Sequence, residues 1–384
     1  MKDIQIKEVL TDSELKKFVS FPIRLYADNP NYVPPIIEDE LRILKSSENP
    51  VFKYCRVKLW IAIEGKEVVG RVAGIINEAF IDKWARRYAR FGWLDFVEDE
   101  DVSRCLIEAV EKWALAEGME ALNGPLGFTD FDPEGILIEG FNEKSTIVQR
   151  YNAPYYMTYL ERAGYIKDAD WVEYQITIPD HVPQKFTRAS DYLLKKYGLS
   201  VIKFNKKEEI LPYVREVFSI INDIYGLMYG FVPITNELRD FYISRYLPFL
   251  DPELMAIIVD KDNKVVSFGV TMPSLSDVFK KANGSLTKLK AMALTGLKTK
   301  TDTVDMYFIG VRPDYLNKGL SAVLISEIGK KLITSGYKYA ETNMEFESNE
   351  AVQALWKHFT ARRHKRRRCY LKYFINSTRI EDNI

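Results

Sequence analysis

The sequence predicts an α/β (α+β) protein of two tandem units, each built on a mixed sheet, and three observations lead to that reading. The stretch from Val304 to Phe359 runs apolar strand, Gly-bearing turn, helix, second strand and short Asn-led helix. The first half of the chain repeats strand, strand, strand, helix, strand and ends in its own Asn-led segment, Tyr151 to Tyr165, which reads as an internal duplication. The length, 384 residues, is too great for one small core and suits two.

Composition narrows the function classes. Apolar residues make up 47% and charged residues 28%, as in soluble globular proteins, and 54 basic against 54 acidic residues argue against a dedicated nucleic-acid binder. Cys55, Cys105 and Cys369 lie far apart without metal-ligand spacing, so neither a disulfide framework nor a zinc site is expected, and a cytoplasmic setting fits. The first ten residues alternate charged and apolar side chains and do not read as a signal peptide. Nowhere do the roughly 18 apolar residues of a membrane span run together.

In chain order, Ile4 to Val9 alternates like an edge strand, and Thr11-Asp12-Ser13-Glu14 is an N-cap pattern opening a helix over Leu15 to Val19. Phe21 to Glu40 mixes aromatics and prolines in a way that predicts no regular element, only a loop packed by its own aromatics or touching substrate. A hairpin, Leu59 to Glu64 and Val68 to Asn77, turns at Gly65-Lys66, with Phe91 to Val97 as third strand. A helix over Val102 to Glu117 stops at Gly118, and Ala121 to Pro125 re-enters the sheet. Val172 to Ile178 reads as the strand that closes or hands over the first unit. The expected division is a first domain over 1–180, a connector over 181–200 and a second domain over 201–384. In the second, a strand at Ser200 to Phe204, a helix over Glu208 to Tyr225 and a hairpin of Met255 to Val259 with Val265 to Thr271 precede the central strand, Met306 to Val311.

The turn after that strand carries the chemistry. A strand feeding a Gly-bearing loop into a helix N-terminus aims several N–H groups at one spot, where the helix dipole adds positive potential and phosphate binds. Here Val311-Arg312-Pro313 is followed by Leu316-Asn317-Lys318-Gly319-Leu320-Ser321, and Asn349 begins NEAVQALW. These residues resemble the GCN5-related N-acyltransferases, which share a strand ending in V-x-P, a pyrophosphate loop R/Q-x-x-G-x-G/A and a later N-x-x-A-x-x-L-Y segment. This chain departs from the pattern at Leu316, at Ser321 and at Trp356, which stands where many members carry a Tyr as general acid. FPxxLY (Phe21 to Tyr26), NPxxVPP (ending at Pro35) and GPLGF (Gly124 to Phe128) further resemble a tandem bacterial subgroup, some of whose relatives are associated with N-acylation of long-chain bases.

The resemblance implies acyl-CoA as co-substrate, an amine acceptor and transfer of the acyl group to nitrogen. Ile309, Gly310 and Val311 would pair with the pantetheine arm and supply the oxyanion donor; Asn317, Lys318, Gly319, Leu320 and Ser321 would hold the pyrophosphate; Asn349 would bond the pantetheine. The acceptor region would be Asn222 to Thr235. For the base, strand alternation places Glu341, Asn343, Glu345 and Glu347 on one face and Asp305 with Tyr307 on one face of the neighbouring strand. Glu345 is the first candidate, Asp305 and Tyr307 the next. The alternative is a non-catalytic binding or scaffold protein of the same fold. The first unit is expected not to bind coenzyme A, because Glu98-Asp99-Glu100-Asp101 puts four carboxylates at the corresponding helix start.

Two basic stretches complete the reading. Arg362 to Arg368 carries six fixed positive charges in seven residues, with phosphate attraction as the leading role, ahead of anionic lipid and nucleic acid. Val278 to Thr301 holds six lysines, no acidic residue and apolar side chains at helical intervals. It reads equally as a lid or as a segment touching an anionic membrane from the cytoplasmic side, and either version predicts long acyl chains and a lipid-like amine.

Overall fold

The computed structural model describes residues 3–294 and 301–374. The chain forms two compact units that do not divide it at one point: Met1–Trp171, Val278–Ala291 and Lys365–Ile384 make unit 1, and Val172–Asp277 with Met292–His364 make unit 2.

Unit 1 opens with β1 (Ile4–Glu8) and α1 (Asp12–Leu25). The expected cap is present, with Thr11 accepting from the Glu14 N–H and the Glu14 carboxylate accepting from the Thr11 N–H. The helix runs through Pro22 to Leu25, further than expected, and so takes in most of FPxxLY: Phe21 and Pro22 are buried, and their packing outweighs the helix bond that proline removes. Next come α2 (Ile37–Leu44), β2 (Cys55–Glu64), β3 (Glu67–Asn77), α3 (Glu78–Trp84), β4 (Tyr88–Phe96), α4 (Glu100–Ala116), β5 (Ala121–Gly124), β6 (Ile136–Glu139) and α5 (Tyr155–Arg162). The core lies between the sheet and α4, where Leu106, Val110 and Trp113 pack on Val72, Phe91 and Phe96.

Unit 2 begins within β7 (Ile166–Thr177) and continues through α6 (Gln184–Tyr197), β8 (Ser200–Ile202), α7 (Leu211–Tyr225), α8 (Asn236–Tyr246), β9 (Met255–Val259) and β10 (Val265–Pro273). Residues 184–197, expected as connector, are a helix packed through Leu193 and Leu194 in a core of this unit. The inserted α9 (Ser276–Ala282) and α10 (Leu286–Leu294) precede β11 (Thr303–Val311), α11 (Ser321–Thr334), β12 (Tyr339–Thr342), β13 (Glu345–Phe346), α12 (Glu350–Trp356) and β14 (Thr360–Tyr373).

The strands of each unit repeat one topology. In each, neighbouring strands are antiparallel except the pair flanking the helix, β4 with β5 and β11 with β12, which is parallel. The last strand of each unit comes from the other half of the chain. Unit 1 is completed by β14, whose Tyr370 to Tyr373 pairs with β5, and unit 2 by β7, whose Thr177, Ile176 and Gln175 oppose Tyr339, Ala340 and Glu341. Val172 to Thr177 thus closes the second unit.

That exchange explains the basic run. It is part of strand β14, and its charges are largely absorbed: Arg366 and Arg368 both bond the buried Asp170, Arg367 is buried and donates to the Arg150 carbonyl, and Lys365 is buried. Arg362 and Arg363, at the start of the strand, are exposed, and Arg362 bonds the neutral Gln175 side chain at 3.0 Å. The inserted segment is likewise tied down over residues 278–291. Lys280 donates to the Asn29 and Pro30 carbonyls, the Ile37 N–H bonds the Gly284 carbonyl at 2.9 Å, and Leu289 is buried. Leu297, Lys298 and Lys300 lie outside the described residues.

Candidate active site

In unit 2 the register of β11 with β12 runs only from Thr303↔Tyr339 to Met306↔Thr342, followed by one more bond from the Asn343 N–H to the Met306 carbonyl at 3.0 Å. The chain then turns away and β13 pairs with β7. The expected single strand from Tyr339 to Phe346 is therefore two strands, and the break shifts the phase of burial: Ala340 and Thr342 are buried, then Glu345, while Glu341 is partly buried and Glu347 exposed. The shared face expected for Glu341, Asn343, Glu345 and Glu347 does not survive that break.

Past Met306, β11 keeps its pairing with β10 through Val311↔Ser267 and opens on its other side. Backbone N–H and C=O groups of an open strand end seek partners, so this opening can receive an extended amide-bearing chain. The Tyr225 hydroxyl of α7 donates to the Ile309 carbonyl at 3.2 Å. Gly310 has no room for a side chain, since a Cβ there would stand 2.3 Å from the Phe268 ring.

The loop after β11 continues the opening. Asn317 and Gly319 both have positive φ, 61° and 80°, which turns successive N–H groups toward one side. α11 then starts at Ser321 with Leu320 as N-cap, no side chain bonded to its first N–H groups and no acidic residue in its first turn. The Lys318 ammonium lies over the Tyr315 ring at 4.0 Å. The Asn349 side-chain oxygen caps α12 by accepting from the Val352 N–H at 3.3 Å.

The three candidate catalytic groups divide into two sets. Asp305 and Tyr307 stand together on β11; burial first, and then the Asp305 and Tyr246 charges, lift the Tyr307 phenol well above its ordinary range, which keeps it protonated. Glu345 is held elsewhere, 9% exposed at the start of β13, with Oε1 accepting from the Trp356 indole Nε1 at 2.8 Å and Oε2 without a hydrogen-bond partner. Burial pushes its carboxyl up to about 7, and the Trp356 and Thr342 hydrogen bonds only partly offset this. A carboxyl balanced near neutrality with one oxygen uncommitted is suited to taking up a proton.

Aromatic side chains of Asn222 to Thr235 lie against these strands. Tyr225 packs edge-on to Phe308 at 6.4 Å and Tyr229 edge-on to Phe346 at 6.1 Å, while the Asn222 amide clamps the loop by bonding both main-chain groups of Ile234. Leu227, at its tip, is 89% exposed. Sequence reasoning located this segment but missed Tyr225 and Trp356 as donors, because a hydrogen bond between residues far apart in the chain leaves no spacing to read.

No family model matches the chain. A solved tandem GNAT protein from the clavulanic acid biosynthesis pathway superposes over 98% of this chain and 100% of that one, with a TM-score of 0.56 at 12% identity. The fold is that of a tandem GCN5-related N-acyltransferase. In sequence, the chain is 26% identical to protein YghO of Escherichia coli (strain K12) over 374 residues, covering 96% of this chain and 95% of that one. It is 24% identical over 380 residues to the bacterial ceramide synthase of Caulobacter vibrioides, covering 96% and 97%. Among the described residues of this GNAT-fold chain, no helix is long and apolar enough to cross a membrane.

Proposed function

We propose that the protein is an acyl-CoA-dependent N-acyltransferase whose unit 2 carries the reaction, with a primary amine on a long-chain or lipid-like molecule as acceptor. The observation that carries this reading is the buried Glu345 carboxyl at the start of β13, just past the end of the β11–β12 pairing, with Oε2 lacking a hydrogen-bond partner. The residues present fit coenzyme A: the main chain of Ile309 to Val311 suits the amide-bearing pantetheine, and the N–H groups of Gly319, Leu320 and Ser321 at an uncapped helix start suit a pyrophosphate. Bound there, acyl-CoA supplies an acyl group activated as a thioester. The strand-end N–H groups would stabilise negative charge building on the acyl oxygen. Glu345 Oε2 would take a proton from the acceptor nitrogen so that the neutral amine can attack the thioester carbonyl; the C–N bond forms, the C–S bond breaks and coenzyme A leaves as its thiol, carrying the proton released by the nitrogen, while the Tyr307 phenol, kept protonated by burial, would remain a hydrogen-bond donor.

The lipid-like acceptor is supported by the aromatic approach of Tyr225, Tyr229, Phe308 and Phe346, by exposed Leu227 at the loop tip, and by a similar protein whose name is a ceramide synthase. Lys288 and Lys290 are exposed on α10, which supports peripheral contact with an anionic bilayer; co-sedimentation with phosphatidylglycerol vesicles at low salt checks it. The function itself is tested by Glu345→Gln with acetyl-, octanoyl- and palmitoyl-CoA and long-chain amines. Turnover should fall ~100-fold while coenzyme A affinity holds. A fall below about tenfold removes Glu345 as base, and coenzyme A binding with no turnover on any amine favours a binding or scaffold protein.

A further inference from the structure

The proposed function uses Glu345 but leaves Trp356 unexplained. Trp356 is the last residue of α12, 6% exposed, and packs in a core with Ile176, Leu254, Val304, Leu332 and Ala340. Packing alone would accept any large apolar side chain. The indole does one thing such a side chain cannot: its N–H points at Glu345 Oε1 at 2.8 Å, while Oε2 has no hydrogen-bond partner. An indole N–H only donates and cannot give up its proton at physiological pH. It therefore fixes one oxygen of the carboxylate, and with it the direction of the other.

We propose that Trp356 is a positioning residue for the proton-accepting Glu345, clamping Oε1 so that Oε2 faces the opening between β11 and β12. This rests on the N-acyltransferase reading of unit 2. Among the other groups around the carboxyl, Thr342 at the end of β12 adds a second hydrogen bond: its hydroxyl accepts from the Tyr174 N–H at 2.9 Å and keeps its own proton to donate to Glu345, so losing the indole donor weakens the clamp without stripping the carboxyl of every donor. Tyr174 of β7 lies near Glu345, and its phenol donates to Gln353 at 3.0 Å, with the Arg363 charge of β14 also acting on it. In a buried site the donated hydrogen bond also favours the ionised carboxylate, so removing it raises the carboxyl's affinity for a proton as well as freeing its rotation.

Two changes remove the donor. Trp356→Phe loses the N–H and some volume; site-specific replacement of Trp356 by benzothienylalanine exchanges only the indole N–H for sulfur and keeps the ring. The readouts are the pH profile of kcat/KM and the protonation of Glu345 itself, followed by carboxyl-stretch difference infrared spectroscopy with Glu345→Gln as blank. In both variants the protonation midpoint and the rising limb of the profile should move together to higher pH by roughly one unit, with kcat reduced and KM for the thioester unchanged; one unit is ~1.4 kcal/mol. An unmoved midpoint in the benzothienyl protein, with normal wild-type turnover, overturns the proposal. A shifted midpoint in a protein that acylates no amine would uphold the clamp and sink the proposed reaction instead, so the two failures are distinguishable.

Discussion

Units 1 and 2 place the same elements around the same point and treat it in opposite ways. At the end of β4 the Phe96 N–H donates to the Tyr156 hydroxyl at 3.0 Å and the Phe96 carbonyl accepts from Tyr155 at 2.6 Å, both from α5. Lower down, the GPLGF segment wedges against β4: the Leu126 N–H bonds the Phe91 carbonyl, and Gly92 leaves room for the Leu126 carbonyl, which a Cβ would approach to 2.5 Å. The helix start is filled as well, with Asp99 accepting from the Asp101 and Val102 N–H groups and Glu100 paired with Arg162. At the equivalent place in unit 2, β11 is open past Met306 and α11 has no side-chain cap. One fold thus makes either a site or a structural block, according to whether its own side chains satisfy the strand end and the helix start. In unit 1 these polar groups serve stability; in unit 2, on the proposed function, the same positions would be left to a ligand.

Four experiments can break or sharpen that contrast. The largest effect is expected from Tyr156→Phe, which orphans the buried Phe96 N–H and the Tyr26 hydroxyl that donates to Tyr156 at 2.7 Å. The loss should be about 1–3 kcal/mol for each group in chemical denaturation, with coenzyme A affinity of the folded protein unchanged. A weakened affinity would mean that the seal in unit 1 also serves binding.

Next is the pH dependence of stability. The Glu345 carboxyl titrates near 4.5 ordinarily and at about 7 when folded, so the folded protein holds this proton more tightly than the unfolded chain. Its stabilising effect is complete below about 4.5 and is lost as pH rises through about 7, a change of about 3 kcal/mol. Glu345→Gln should flatten that part of the profile, and identical slopes in variant and wild type would place the carboxyl in a less buried setting.

Ser321→Glu gives α11 the acidic first turn that α4 already has. Coenzyme A affinity should fall about tenfold or more by calorimetry, since the carboxylate competes for the helix start and repels phosphate, while thermal stability is kept. Equal affinity would refute the assignment of the loop. The smallest effect is that of Asp99→Ala, which uncaps α4 and should cost about 1 kcal/mol without creating a second coenzyme A site. Binding stoichiometry checks it, and a second equivalent bound would show that the acidic cap alone distinguishes the units.

What the sequence by itself determined were features set by neighbours along the chain. The hairpin turning at Gly65, with positive φ, the Thr11–Glu14 cap, the Gly118 stop and the strand, loop and helix around Gly319 all depend on residues a few positions apart, and each was legible. The acidic start of α4 was legible for the same reason. Tertiary structure alone decided which strand completes which unit, because the apolar alternation of Val172 to Thr177 and of Cys369 to Tyr373 is satisfied equally by either one. It also turned the basic run from a charged surface into a strand, since only the fold brings Asp170 to Arg366 and Arg368. The candidate base was named from sequence through an alternation that breaks at Asn343, so Glu345 owes its standing to burial and to the Trp356 N–H. Those depend on packing between elements distant in the chain, and a pattern read along one strand does not contain them.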